Sequence, residues 1–163
     1  MNIREATPRD YQRLCTLIDQ VDGLHREHLP HIFQKAEGPT RQREYVLGLI
    51  AADNVGVFVT EQDGRLIGLV VVIVRVSSDI PILVPRTFAL IENICVDRDH
   101  RNQGIGKALV EHAQLWAKEK GANSIELTVY EFNTDAREFY ESLGYFTESR
   151  RMTRRLGGIR GKE

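Results

Sequence analysis

The sequence predicts a mixed α/β domain in the order β-α-α-β-β-β-α-β-α-β. Three observations carry that reading. Runs of β-branched residues fill the middle of the chain, helical spacing of apolar residues flanks them, and Gly, Pro and Asp punctuate the boundaries. With 163 residues, 42% of them hydrophobic, the chain is long enough to bury one core, and a single domain over residues 1–163 is expected.

The elements follow in order. "NIREAT" reads as a short opening strand, ended by Pro8. Asp10 is placed to cap a helix whose apolar residues fall at Tyr11, Leu14, Leu17, Ile18 and Val21, and Gly23 is expected to end it. "LHREHLPHIFQKAEGPT", with Pro30 inside, reads as a short helix or an ordered loop. Thr40 opens a second helix with Tyr45, Val46, Leu49 and Ile50 on one side. "VGVFVTEQ" and "RLIGLVVVIVRVS" are strands joined by "DG", a strong hairpin signal. "SSDIPILVPRT" is a connection with two prolines, and "FALIENICVD" is a strand. A helix then runs to about Lys120 and closes at Gly121; Trp116, Ile105, Leu109 and Ala113 share its core face. "SIELTVYE" is a strand, Asn133 to Leu143 a short helix stopped by Gly144, and "YFTESRRMTRRL" a last alternating strand. The tail 157–163, "GGIRGKE", is expected to fray.

Composition narrows the function classes. A formal net charge of −1 gives no chain-wide attraction to nucleic acid, and the "RRMTRR" cluster reads as a solvated strand face. The longest apolar run, Leu66 to Val74, is far shorter than the ~20 residues of a membrane helix. The opening "MNIREATPRDYQRLC" is charged from the start, unlike a secretory signal. Cys15 and Cys95 are expected to be reduced thiols of a cytoplasmic protein with neither nucleic acid nor membrane as partner. The H-x-x-H-x-x-H spacing of His25, His28 and His31 is interrupted by Pro30 and completed by no cysteine, so no metal site is expected.

The chemistry concentrates in "DHRNQGIGKAL", between a strand and a helix. A P-loop fails there, because Arg101 stands where its first glycine belongs and Ala108 where its hydroxyl belongs. A dinucleotide fingerprint fails at Leu109. What remains is Arg-x-x-Gly-x-Gly: Gly104 and Gly106 uncover backbone N–H groups at a helix N-terminus, and Arg98, Arg101 and Lys107 add charged donors. That suits a diphosphate approached closely by backbone.

"RNQGIGKAL" after a strand ending "ENICVD", followed by "NTDAREFYESLGY", resembles the GCN5-related N-acetyltransferase (GNAT) family over roughly Leu90 to Tyr145. The pattern matches at Arg101, Gly104, Gly106, Asn133, Ala136, Phe139, Tyr140, Gly144 and Tyr145. The resemblance implies a mostly antiparallel central sheet flanked by helices, with a splayed cofactor cleft. It implies acetyl-coenzyme A (acetyl-CoA) as cosubstrate, its pyrophosphate on Arg101, Gln103, Gly104, Ile105, Gly106 and Lys107, with Ile94 and Val96 also binding the cosubstrate. On the same resemblance the strand after Asn93 offers backbone N–H groups to the thioester oxygen, and Asn133 bonds the pantetheine. Tyr140 takes the general-acid position near the sulfur; Glu92 takes the base position, pointing into the cleft if a bulge puts Ile91 and Ile94 on the core. Asn93 and His28 are candidates for contacting the acceptor, and a homodimer is expected. The implied activity is acetylation of a small-molecule primary amine; a protein lysine or N-terminus, or a non-catalytic acyl-CoA sensor, are the other readings.

The chemistry asks for these groups. A lysine-like amine of pKa ~10.4 is neutral about once in 2,500 molecules at pH 7, a handicap of roughly 4–5 kcal/mol, so a base helps. Protonating a thiolate of pKa ~8.5 is worth roughly 2 kcal/mol at pH 7, so an acid helps at the other end.

Overall fold

The β-branched runs form the centre of a sheet. The computed structural model describes residues 2–156; the expected fraying of 157–163 lies outside the described residues. The chain gathers into two compact units, Met1–Thr128 and Val129–Glu163.

The first unit carries strands β1 (Ile3–Glu5), β2 (Val55–Gln62), β3 (Arg65–Val76), β4 (Thr87–Val96) and β5 (Ser124–Leu127), ordered β1-β2-β3-β4-β5 across a five-stranded sheet. All neighbours are antiparallel except β4 and β5, which are parallel. The "DG" turn sits at Asp63 and Gly64, both at positive φ (51° and 73°), as a hairpin of this length demands. Helices α1 (Tyr11–His28) and α2 (Arg43–Ala51) bury Leu14, Leu17, Ile18 and Val46 against Val57, Val59, Leu69, Val71 and Cys95. Alternation turns the other residues of β2 and β3 toward α3 (Ile105–Glu119), where the Phe58 ring meets Trp116 and His112 edge-on. Gly68 sets how closely α3 lies on the sheet: a Cβ there would come within 2.9 Å of Leu109 Cδ1 and 3.0 Å of Ile105 Cγ2.

Two features of β4 prepare the site. Its ladder with β5 stops at the pair Ile91↔Leu127, while its ladder with β3 continues to Val96. From Glu92 onward the outer backbone edge of β4 therefore has no partner in β5, which is the expected splay. The β3–β4 register also shifts between Val71 and Val72, leaving Glu92 as the extra residue between Ile91 and Asn93.

Four expectations need correction. Gly23 does not end α1; its intrinsic cost of about 1 kcal/mol in a helix interior is outweighed by the buried face, and the helix stops before Leu29, the residue preceding Pro30. Asp10 stands at the N-cap position of α1 but makes no side-chain capping bond: its carboxylate accepts from the Thr7 N–H (2.8 Å) and hydroxyl (3.0 Å) and takes both arms of Arg4. These contacts hold its carboxyl at about 2, below the ordinary range. The second helix begins at Arg43 rather than Thr40, after an extended Gln42. The alternating segment 145–156 carries no strand: Phe146, Met152 and Leu156 are more than four-fifths exposed, so its alternation has no buried face to serve.

In the second unit α4 (Thr134–Ser142) starts where expected, with the Asn133 side chain accepting from the Ala136 N–H at 3.2 Å. Gly144, at φ 87°, follows its end.

Candidate active site

β4 delivers the chain into the glycine loop. After Val96, Asp97 still reaches back to the sheet through its N–H, which donates to Ile67 O at 2.8 Å. A 3₁₀ turn over Arg98–His100 follows, then Asn102 and Gly104 both at positive φ (60° and 79°). Gly104 is the N-cap of α3 and, being glycine, brings no side chain to cap that helix. The first amide with a helical partner is Ala108, bonded to Gly104 O at 3.0 Å, so the N–H groups of Ile105, Gly106 and Lys107 precede the helical ladder. A Cβ on Gly104 would meet nothing within 4 Å, leaving an open approach to these N–H groups.

The charged residues of the loop are only partly engaged. Arg101 Nε donates to Val96 O at 3.2 Å, bringing two of the expected cofactor residues together, while Lys107 faces Glu111 at 3.8 Å. Gln103 Nε2 lies 3.5 Å from Asp99 O. The unit thus presents an uncapped helix dipole, an open glycine and two cations, a donor set that fits a diphosphate.

The bulge decides where the next groups point. Ile91 pairs with Val72 and Ile94 with Val70, so both share the α3 face although three residues apart. Asn93 pairs with Val71 on the opposite face and lines a cavity of about 20 Å³ with Leu14, Arg41, Tyr45 and Val46. The extra residue, Glu92, is exposed, about a third of its side chain reaching solvent, with Arg75 Nη2 3.9 Å from its Oε2. An ion pair so long and wet contributes little to stability. Glu92 and Asn93 therefore come together on the strand, beside the edge that β5 has left. His28 is exposed in the last turn of α1, its Nδ1 3.0 Å from Leu24 O.

In the second unit, Tyr140 is buried on α4 between Phe139 (5.1 Å between ring centroids) and Tyr145 (5.6 Å). Burial, helped by Tyr145, pushes its phenol up to about 12. The hydroxyl therefore keeps its proton at neutral pH and is a donor, never a base.

Sequence reasoning missed the groups that hold these elements in place. Arg41 is paired with Asp22 at 2.9 Å and its carbonyl accepts from the Tyr11 hydroxyl at 2.8 Å. Asp97 is buried and bonded to Gln20 and His100, which hold its carboxyl below the ordinary range. The available signal was an aspartate directly at the end of an apolar strand; its partner on α1 carries no local mark. The remaining histidine of interest, His25, stacks on Phe33 at 5.1 Å, and burial lowers its pKa.

The model of the Acetyltransferase (GNAT) family matches residues 18–145. The chain is similar to the uncharacterized N-acetyltransferase MJ1207 of Methanocaldococcus jannaschii, 39% identical over 103 residues, 63% of this chain and 44% of that protein. Its similarity to streptothricin acetyltransferase A of Bacillus subtilis is 42% over 53 residues, 32% of this chain and 31% of that protein. The chain thus spans less than half the length of these curated relatives. A solved structure of a tetramutant of the BH1408 protein from Bacillus halodurans matches at TM-score 0.90 and 30% identity, covering 96% of this chain and 100% of that one.

Proposed function

The chain belongs to the acetyltransferase (GNAT) family, and on that premise we propose that it moves an acetyl group from acetyl-CoA to a primary amine of a small-molecule acceptor by direct attack. The observation that carries the reading is the passage of β4, bulged at Glu92 and freed from β5, through the 3₁₀ turn at Arg98–His100 into the start of α3 at Gly104. The cosubstrate supplies an activated acetyl thioester. The backbone of Gln103–Lys107, with Arg101 and Lys107, takes its diphosphate, and the free edge of β4 at Ile94 and Val96 offers backbone groups to its pantetheine and thioester oxygen. Asn133 serves the pantetheine as well as capping α4. Glu92 accepts a proton from the acceptor's ammonium group, directly or through water, and Asn93 orients the acceptor. The amine nitrogen bonds to the carbonyl carbon and the C–S bond breaks. The departing sulfur is met by the Tyr140 hydroxyl as donor. The surplus proton leaving the newly bonded nitrogen balances the one the sulfur takes up, so that amide, thiol and phenol are the end state.

A proton held at about 12 is not given freely. Complete transfer to a thiolate of pKa ~8.5 is uphill by roughly 5 kcal/mol, so Tyr140 acts as a hydrogen-bond donor that shifts its proton only as the sulfur gains charge. The reading includes a single domain in the cytoplasm, without metal, acting as a homodimer. Sedimentation tests the pairing; an 18.6 kDa species alone at assay concentration contradicts it.

Gly104→Val tests the diphosphate site. Valine at φ 79° is strained by about 1–3 kcal/mol and its branches enter the open approach, while its Cβ meets no protein atom within 4 Å. Calorimetry is expected to show at least a tenfold loss of coenzyme A affinity in a folded variant. Undiminished affinity removes the loop from the site.

A further inference from the structure

We propose that Gln20 of α1 is a positioning residue for the cosubstrate's diphosphate, fixing the direction in which the backbone N–H groups of Gln103–Lys107 point. The inference rests on the acetyl-CoA reading above and adds to it a residue far from the loop in sequence.

Both ends of the loop are anchored by packing: β4 by its ladder with β3, and the first turn of α3 by Ile105 and Leu109 against Gly68. Between them the path is set by hydrogen bonds. Gln20 uses both ends of its amide there. Its Nε2 donates to Asp97 Oδ2 at 2.9 Å, and its Oε1 accepts from the Arg98 N–H at 3.0 Å. The other oxygen of Asp97 accepts from the Asp99 N–H at 3.2 Å and lies 3.0 Å from His100 Nδ1. One buried carboxylate thus gathers the turn, and one α1 side chain holds both that carboxylate and the backbone beside it.

The demand on residue 20 is specific. It must donate to a carboxylate and accept from an amide at once, with a reach that spans both. Leucine and methionine supply neither bond, and glutamate supplies the acceptor while setting a second carboxylate against Asp97. Released from Gln20, the turn at Arg98–His100 loses its tie to α1. The two positive-φ residues after it, Asn102 and Gly104, then have more than one path to the helix. The N–H groups would remain present but no longer be preorganised, which weakens cosubstrate binding without touching the reacting atoms.

The test uses the full chain with Gln20→Met. Loss of two hydrogen bonds, one to a charged acceptor, is expected to raise the coenzyme A Kd and the acetyl-CoA KM about tenfold, some 1.4 kcal/mol, with kcat within about twofold. Gln20→Glu keeps the volume and is expected to raise Kd by at least as much at pH 8; it also serves if the methionine variant folds poorly. Arg4→Met is the control. It strips two hydrogen bonds from the buried Asp10 on a distant turn, lowers Tm, and should leave the acetyl-CoA KM unchanged. A wild-type chain that binds coenzyme A beside a Gln20→Met chain of equal affinity overturns the assignment alone. A fall in kcat with KM unmoved, or a KM shift of the same size in Arg4→Met, also overturns it. A wild-type chain that binds no coenzyme A overturns the acetyl-CoA reading itself.

Discussion

Tyr140→Phe is expected to keep the fold and the affinity for coenzyme A while lowering kcat by about 10²–10⁴-fold. The reason lies in what the substitution removes. Tyr140 is packed between Phe139 and Tyr145, and a phenylalanine ring fills the same space with the same ring contacts. Only the hydroxyl goes, and with it the donor to the departing sulfur. Its raised pKa gives a second expectation. Because burial holds the phenol at about 12, the wild-type rate should show no alkaline decline from Tyr140 between pH 7 and pH 10. An ordinary phenol, at ~10, would begin to lose its proton in that range. Steady-state kinetics with chemistry rate-limiting check both points. A Tyr140→Phe rate within twofold of wild type removes the acid role.

Glu92→Gln is the second large effect, and its signature is its dependence on pH. The acceptor amine binds as an ammonium ion at neutral pH and must lose a proton before it attacks. If Glu92 takes that proton, the glutamine variant must wait for the rare neutral amine, so at pH 7 the rate should fall by about 10²–10³-fold. Raising the pH toward the acceptor's own pKa supplies neutral amine from solution and should recover much of the loss. The exposure of Glu92 on its bulge suits this role, because the proton needs a route to water. The folded state should hardly notice the change, since the one ion pair at stake spans 3.9 Å on the surface. A deficit that stays constant from pH 7 to pH 10 makes Glu92 a group that places the acceptor, and the base must be sought elsewhere.

Much of this site is legible in the sequence because its signals are local. Glycine at 104 marks the left-handed turn that opens α3, asparagine at 133 marks the cap of α4, and the spacing of Ile91 and Ile94 marks the bulge that turns Glu92 outward. Each depends on residues within a few positions of one another. What is not legible depends on partners far along the chain. The glycine at 23 looks like a stop, and only burial of Leu14, Leu17 and Ile18 against the sheet carries the helix past it. The alternation of residues 145–156 looks like a strand, yet alternation alone supplies neither a buried face nor a ladder. Gln20 and Asp97 meet across 77 residues, and nothing near either of them announces the other. Propensity and capping act within a turn or two, whereas second contacts to a functional loop are set by tertiary packing.

The most direct test of the account is release of free coenzyme A from acetyl-CoA by the purified chain, followed by thiol titration across a panel of small primary amines, a lysine peptide and a peptide with a free N-terminus. The account predicts amine-dependent thiol release with at least one small amine, matched mole for mole by an N-acetylated product, and lowered at least tenfold by Gly104→Val at acetyl-CoA concentrations below KM. Faster turnover of a peptide than of every small amine would move the acceptor to proteins while leaving the transfer chemistry in place. Tight coenzyme A binding with no thiol release above background for any acceptor would contradict the central claim and make the chain a sensor of acyl-coenzyme A rather than an enzyme.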